Sequence, residues 1–287
     1  MKNLISLNDL TKEDIESIFR KTAELKGKRT KDLDGRTLAM FFEKPSTRTR
    51  VSFEVAMTQL GGHAIYLDPQ TMQLKRGETI GDTAAVLSRY VDAIMARVYK
   101  HETLLEMAKH ASVPIINGLS DFSHPCQILA DLYTVLEKKG TLNLKFVWLG
   151  DGNNVCNSFV YAATKLGFQL VVSTPEGYEP KAKGSYELVR DPKEAVKGAD
   201  VVITDTWISM GDVRDEQETV KIFKPYQVNS ELVELAKPDY MFMHCLPAHR
   251  EYEVTSDIID GPNSIVFDEA ENRLHVQKAI LALLIGN

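Results

Sequence analysis

The chain has 287 residues, 44% of them hydrophobic and 26% charged. That length suits about two domains of ordinary size, whose cores need no disulfide or structural metal. The net charge of −6 and a pI near 5.7 argue against nucleic acid as a main partner, since that calls for a broad basic face, yet they leave room for a local anion site. Cys126, Cys156 and Cys245 form no CxxC pair and fit free thiols in a reducing compartment. No apolar window reaches the length of a membrane span and no signal-length apolar segment follows Leu7, so a cytoplasmic location is expected.

In chain order, Thr11 with Asp14 reads as a helix start, and Ile15, Ile18, Phe19 and Leu25 give that helix an apolar side. Short apolar runs at 37–42, 64–67, 93–97 and 114–117 read as strands. Between the first two, a helix opens at Ser46, carries Val51, Val55, Ala56 and Leu60, and stops at Gly61-Gly62. A long helix follows at 126–139 and ends at Lys138-Lys139-Gly140, where the domain break is placed. Five further strands are expected at 145–149, 169–173, 201–204, 240–243 and 264–267, then a last helix at about 271–285. Most strands are continuous apolar runs without alternation, as in parallel strands buried on both faces. The fold class is therefore α/β: two domains, 1–138 and 139–270, each a parallel sheet flanked by helices. Ligands are expected at the carboxyl ends of the strands, in the cleft between the two lobes.

Five constellations fall at those strand ends. Ser46-Thr47-Arg48-Thr49-Arg50 joins two guanidiniums and several hydroxyls to a helix N-terminus, whose free N–H groups and dipole favour an anion. An ordinary N-cap with solvated arginines is the alternative, although arginine opposes the dipole there unless an anion is bound. His124-Pro125-Cys126-Gln127 opens the long helix with two side chains able to donate to a carbonyl or phosphate oxygen. Gly150-Asp151-Gly152-Asn153-Asn154 is similar to the first part of a dinucleotide loop, but Val155 stands where the third glycine belongs, so the match is only partial. Asp205, followed by Ser209-Met210-Gly211, offers an acid suited to an ammonium group. His244-Cys245-Leu246-Pro247 offers an imidazole and a thiol. A metal needs three or four ligands in a closing geometry, and adjacent His244 and Cys245 rarely face one point, so no metal is expected.

Taken together and in this order, these residues resemble the carbamoyltransferase family, and within it the branch that uses ornithine. The likeness runs from about residue 1 to the C-terminus. Ser46-Thr47-Arg48-Thr49-Arg50 and His124-Pro125-Cys126-Gln127 match its two carbamoyl phosphate motifs. His244-Cys245-Leu246-Pro247, and Asp205 with Ser209-Met210-Gly211, match its ornithine motifs. The resemblance implies that Ser46, Thr47, Arg48 and Thr49 hold the phosphate, with Arg273 adding charge. It implies that Arg97, His124 and Gln127 hold the carbamoyl oxygen and neighbouring atoms. Gln73 would reach a neighbouring subunit's site, in a trimer or a multiple of trimers. Asn154, Asp205, Ser209 and Met210 would bind L-ornithine, and Cys245 and Leu246 would lie where the substrates meet. The last helix would pack back onto the first domain. No metal or organic cofactor is implied.

The implied reaction is attack of the δ-amine on the carbamoyl carbon, with phosphate leaving and citrulline formed. Donors aimed at the carbonyl oxygen stabilise the tetrahedral intermediate, work that suits Arg97, His124 and Thr49. An alkyl amine has a pKa of about 10.4 and must lose a proton first. Asp205, Cys245 or the leaving phosphate can take it. One departure lies at Gln73-Leu74-Lys75-Arg76, since the aspartate branch uses a lysine from this loop. Aspartate, putrescine and acylated ornithines are accordingly the alternative acceptors. A nicotinamide-dependent dehydrogenase and a non-catalytic anion binder are the rival classes.

Overall fold

The computed structural model describes residues 1–208 and 213–286, and the chain divides into two units, Met1–Tyr133 with Glu271–Asn287, and Thr134–Ala270. The first unit opens with α1 (Lys12–Leu25), fixed by a reciprocal cap. The Thr11 hydroxyl accepts the Asp14 N–H at 3.1 Å, and the Asp14 carboxylate accepts the Thr11 N–H at 3.0 Å. There follow β1 (Thr37–Phe42), α2 (Thr47–Gln59), β2 (His63–Leu67), α3 (Ile80–Leu87), β3 (Ala93–Arg97), α4 (His101–His110), β4 (Ile115–Leu119) and α5 (Pro125–Lys139). The sheet is parallel throughout, in the order β2-β1-β3-β4. Ala39, Phe41, Ile94 and Ala96 from its strands pack with Leu104 and Met107 of α4, as a strand buried on both faces requires.

The expected apolar side of α2 needs correction. Phe53, Ala56, Met57 and Leu60 form the buried face at helical spacing, whereas Val51 is 51% exposed. Phe53 brings the larger ring, so its stripe faces inward and turns Val51 out.

The second unit contains β5 (Lys145–Leu149), α6 (Asn154–Leu166), β6 (Gln169–Ser173), β7 (Glu187–Leu188), α7 (Pro192–Val196), β8 (Val201–Thr204), α8 (Glu216–Phe223), α9 (Ser230–Val233), β9 (Met241–Met243) and α10 (Ser256–Ile259). The last helix, α11 (Val266–Ile285), begins here and ends in the first unit. Its Lys278 ammonium is fully buried and donates to the Leu25 and Lys28 carbonyls at the end of α1. The second sheet is also parallel, in the order β7-β6-β5-β8-β9.

Its fifth strand is not the one expected. Residues 264–267 supply a single bridge, Ser264 to Phe242, and the helix starts at Val266 rather than near 271. The apolar run there continues into a helical pattern, which periodicity over four residues cannot resolve. The strand that takes the edge, β7, is two exposed residues long and carries no apolar signal.

Both strand orders reverse direction once: between β1 and β3 in the first sheet, and between β5 and β8 in the second. Crevices form outside the carboxyl ends of strands at such switch points, and they are where ligands bind in open α/β sheets. No described helix is long and apolar enough to cross a membrane.

Candidate active site

The switch point of the first unit carries a cluster of cations and donors. Ser46 caps α2, its hydroxyl accepting the Thr49 N–H at 3.2 Å. Thr49 is fully buried, and its hydroxyl accepts from Arg273 Nη2 at 2.9 Å. The other arm, Arg273 Nη1, donates to Gln127 Oε1 at 3.0 Å, and Gln127 Nε2 donates to Asp131 Oδ1 at 2.8 Å, one turn along α5. A guanidinium from α11 thus ties the start of α2 to the start of α5. Arg97 ends β3 opposite Phe42 of β1, and its charge acts on both His124 and Lys44. His124 is 3% exposed, and burial, reinforced by the Arg273 and Arg97 charges, pushes its pKa well below the ordinary 6.5. It is therefore a neutral imidazole at neutral pH. Lys44, next to the capped loop, is also buried, and burial with the Arg97 charge pushes its pKa down. Its ammonium lies 4.8 Å from the Tyr99 ring.

Arg48 is half-buried and, among the described residues, takes part in no ion pair, while Thr47 is exposed. The second arginine of the motif is not shared with this cluster. Arg50 Nε donates to Glu54 at 2.9 Å, and its guanidinium lies 4.0 Å from the centre of the Tyr66 ring. The i,i+4 spacing of Arg50 and Glu54 carries that signal in the sequence. Gln73 sits exposed on a short 3-10 turn, Gln73–Arg76, with no hydrogen bond to the cluster.

The switch point of the second unit is built from different groups. Asn153 caps α6, its side-chain oxygen accepting the Val155 and Cys156 N–H groups at 2.9 and 3.1 Å. Its amide donates to Asp205 Oδ2 at 2.7 Å. Asp205 Oδ1 accepts from Cys245 Sγ at 3.1 Å and from the Thr206 N–H at 2.8 Å. Three strand ends, those of β5, β8 and β9, thus converge on one carboxylate that is 7% exposed. Asn154 is the first residue of α6 and half-buried beside this group. Leu246 is half-buried and held at φ 54, in the left-handed region that a branched side chain rarely adopts. His244 supports it: Nδ1 accepts the Leu246 N–H at 2.9 Å, while Nε2 meets Glu253 Oε1 at 3.1 Å. Ser209, Met210 and Gly211 lie outside the described residues.

The ligand atoms of Asp205, His244 and Cys245 do come within 4.8 Å of one another, contrary to the expectation from their adjacency. Both His244 nitrogens are already engaged, however, so the imidazole offers no free lone pair to a metal. The other two thiols are inert by environment. Burial raises Cys126 to about 12 and Cys156 well above its ordinary value.

The glycines of the partial dinucleotide fingerprint have local duties. Gly150 sits at φ 115, and a Cβ on Gly152 would come within 2.3 Å of the Pro180 nitrogen and 2.4 Å of the Tyr178 carbonyl oxygen. Close approach of residues 178–180 demands glycine there, with no pyrophosphate needed.

Sequence reasoning overlooked Asp131, Lys44 and Glu253, and took Asn153 only as part of the partial dinucleotide loop. Asn153 was legible as a cap residue before a helix, and Asp131 as the i+4 partner of Gln127. Glu253 is nine residues from His244 and leaves no local signal.

A family model described as the aspartate/ornithine carbamoyltransferase carbamoyl-P binding domain matches residues 2–137. Its companion, the Asp/Orn binding domain, matches residues 142–284. The chain belongs to the aspartate/ornithine carbamoyltransferase family. Within that family it is 61% identical to the ornithine carbamoyltransferase of Pyrococcus abyssi, over 99% of this chain and 96% of that one. It is 52% identical to the enzyme of that name from Archaeoglobus fulgidus, over 100% and 98%. Among solved structures, ornithine carbamoyltransferase from Pyrococcus furiosus superposes with a TM-score of 0.95 at 59% identity, covering 100% of this chain and 97% of that one. The family member from Thermus thermophilus gives 0.93 at 43% identity, covering 99% of each.

Proposed function

We propose that this chain transfers the carbamoyl group of carbamoyl phosphate to the δ-amine of L-ornithine, giving L-citrulline and phosphate. The observation that carries the reading is the contrast between the two switch points. One gathers Arg97, Arg273 and neutral His124 around a helix N-terminus, and the other sets a buried carboxylate against a thiol and an amide. The first suits a doubly charged phosphate ester, and the second suits an amine.

Residues 1–138, with the helix from 271 packed back onto them, serve as the carbamoyl phosphate-binding domain, and 139–270 as the ornithine-binding domain. Ser46, Thr47, Arg48 and Thr49 take the phosphate oxygens through backbone N–H groups, hydroxyls and the Arg48 fork. Arg273 holds Thr49 and Gln127 in place and adds positive charge. Arg97 and His124 donate to the carbonyl oxygen, which gains negative charge as the tetrahedral intermediate forms. A neutral His124 acts here as a hydrogen-bond donor rather than as a third cation. Asp205 orients the amine with Cys245, Asn154, Ser209 and Met210 also on the acceptor side, and Leu246 contacts the carbamoyl group. The C–N bond forms, the C–O bond to phosphate breaks, and the amine gives up one proton.

Gln73, exposed and outside its own unit's cluster, serves a neighbouring subunit. The working form is then a homotrimer or a multiple of it, in the cytoplasm. A panel of amine acceptors offered with carbamoyl phosphate tests the reading. Citrulline should be the main product, and formation of carbamoyl-aspartate, carbamoyl-putrescine or acylated citrulline in its place would reject ornithine as the substrate.

A further inference from the structure

One tie, beyond the groups placed at the acceptor carboxylate, joins the loop after β5 to the loop after β8, and a second braces the latter internally. Arg214 Nη2 donates to Asp151 Oδ2 at 2.8 Å and to the Trp207 carbonyl oxygen at 2.7 Å. Asp151 is itself fixed, since its carbonyl oxygen accepts the Trp148 indole N–H at 3.0 Å. The guanidinium lies in an aromatic slot, 5.5 Å from the Tyr178 ring centre and 6.0 Å from that of Phe223. Trp207 stacks on the same Phe223 at 5.8 Å and is 1% exposed. The side chains of Arg214 and Asp151 keep only 28% and 15% of their exposure. A planar, partly desolvated fork of this kind holds geometry better than a solvated pair does.

Trp207 is two residues beyond Asp205, and Asp151 is two before Asn153, the residue that donates to Asp205. The Arg214–Asp151 pair therefore runs parallel to the Asn153–Asp205 bond, and together they fix the spacing of the two strand-end loops. We infer that Arg214 and Asp151 are positioning residues that set the affinity for the amino acceptor by holding the Asp205 loop against the β5 loop. Neither is assigned a contact with substrate. The inference rests on the reading of Asp205 as an acceptor-side group and takes nothing from residues 209–212. A small displacement of a positioned group is enough to weaken a site markedly.

Steady-state kinetics on the full chain test this, with both substrates varied. Arg214→Ala and Asp151→Asn should each raise the KM for ornithine about tenfold, leave the KM for carbamoyl phosphate within about twofold, and spare most of kcat. Arg214→Lys should recover part of the loss. The double variant should be no worse than Arg214→Ala, since the two residues act as one pair. Melting temperatures identify any variant that fails to fold, in which case Arg214→Lys and Asp151→Asn decide. An unchanged ornithine KM, or an equal rise in both KM values, overturns the inference. Asp205→Asn serves as the control. If it too leaves ornithine kinetics unchanged, the acceptor reading itself has failed; if it alone weakens ornithine, only the positioning claim has.

Discussion

The two switch points share one geometry and differ in chemistry. Each lies at the carboxyl ends of parallel strands where the order reverses, and each is opened by a helix capped from its own loop, by Ser46 in one and Asn153 in the other. In the first unit the groups brought there are cations around a buried hydroxyl. In the second they are a carboxylate, a thiol and an amide. The fold therefore fixes where a ligand goes, and a handful of side chains decides its charge. Helix dipoles favour anions in both units, so on the proposed reading it is the acid at Asp205 that turns the second site towards an amine.

Variants separate the two sites in order of expected effect. Arg273→Ala removes the buried fork and leaves Thr49 and Gln127 without it, so kcat/KM for carbamoyl phosphate should fall by about 100-fold or more, with a lower melting temperature. Asp205→Asn should lower kcat/KM for ornithine by tens of fold, roughly a 2 kcal/mol loss, while carbamoyl phosphate binding stays near wild type. Equal losses of both substrates in either variant would break the separation. Gly152→Ala forces a methyl against the backbone of residues 178–180 and should cost about 2 kcal/mol of stability without changing the donor site.

The smallest effect is a slope with pH that belongs to the first unit. His124, His101 and His275 all lie there, and burial lowers the pKa of each. A lowered native value means that the unfolded chain binds protons the native chain does not, once pH drops below the ordinary 6.5. Stability is therefore full above that value and declines as pH falls towards the native values. Melting temperatures at pH 7.5 and 5.5 should show the decline, and His124→Asn should make it shallower; a steeper or unchanged slope would contradict a buried neutral imidazole.

The donor side was more legible in the sequence than the acceptor side. Ser46 to Thr49 is one continuous stretch whose cap, dipole and charge can be read without the fold. Arg97 and Arg273 joined it through the family resemblance, and the reversal between β1 and β3 supplies the physical reason for Arg97. At the second switch point, the proposed acceptor side, the clustered groups come from three strand ends, and the Asn153–Asp205 and Cys245–Asp205 bonds span 52 and 40 residues. No local pattern announces such pairs. The fold followed the same rule. Long apolar strands were readable, whereas β7, two exposed residues completed only by its neighbour, was not. Residues 264–267 misled because three consecutive apolar residues, Ile265 to Phe267, suit a strand and the first turn of a helix alike.

The central claim is that the first switch point binds the carbamoyl donor by itself. Calorimetric titration of carbamoyl phosphate into the wild-type chain, Arg48→Ala and Asp205→Asn tests it most directly. The account predicts an affinity at least about 30-fold weaker for Arg48→Ala, as expected on losing charge-assisted hydrogen bonds, and within about twofold of wild type for Asp205→Asn. Wild-type affinity in Arg48→Ala, or a comparable loss in Asp205→Asn, would contradict it.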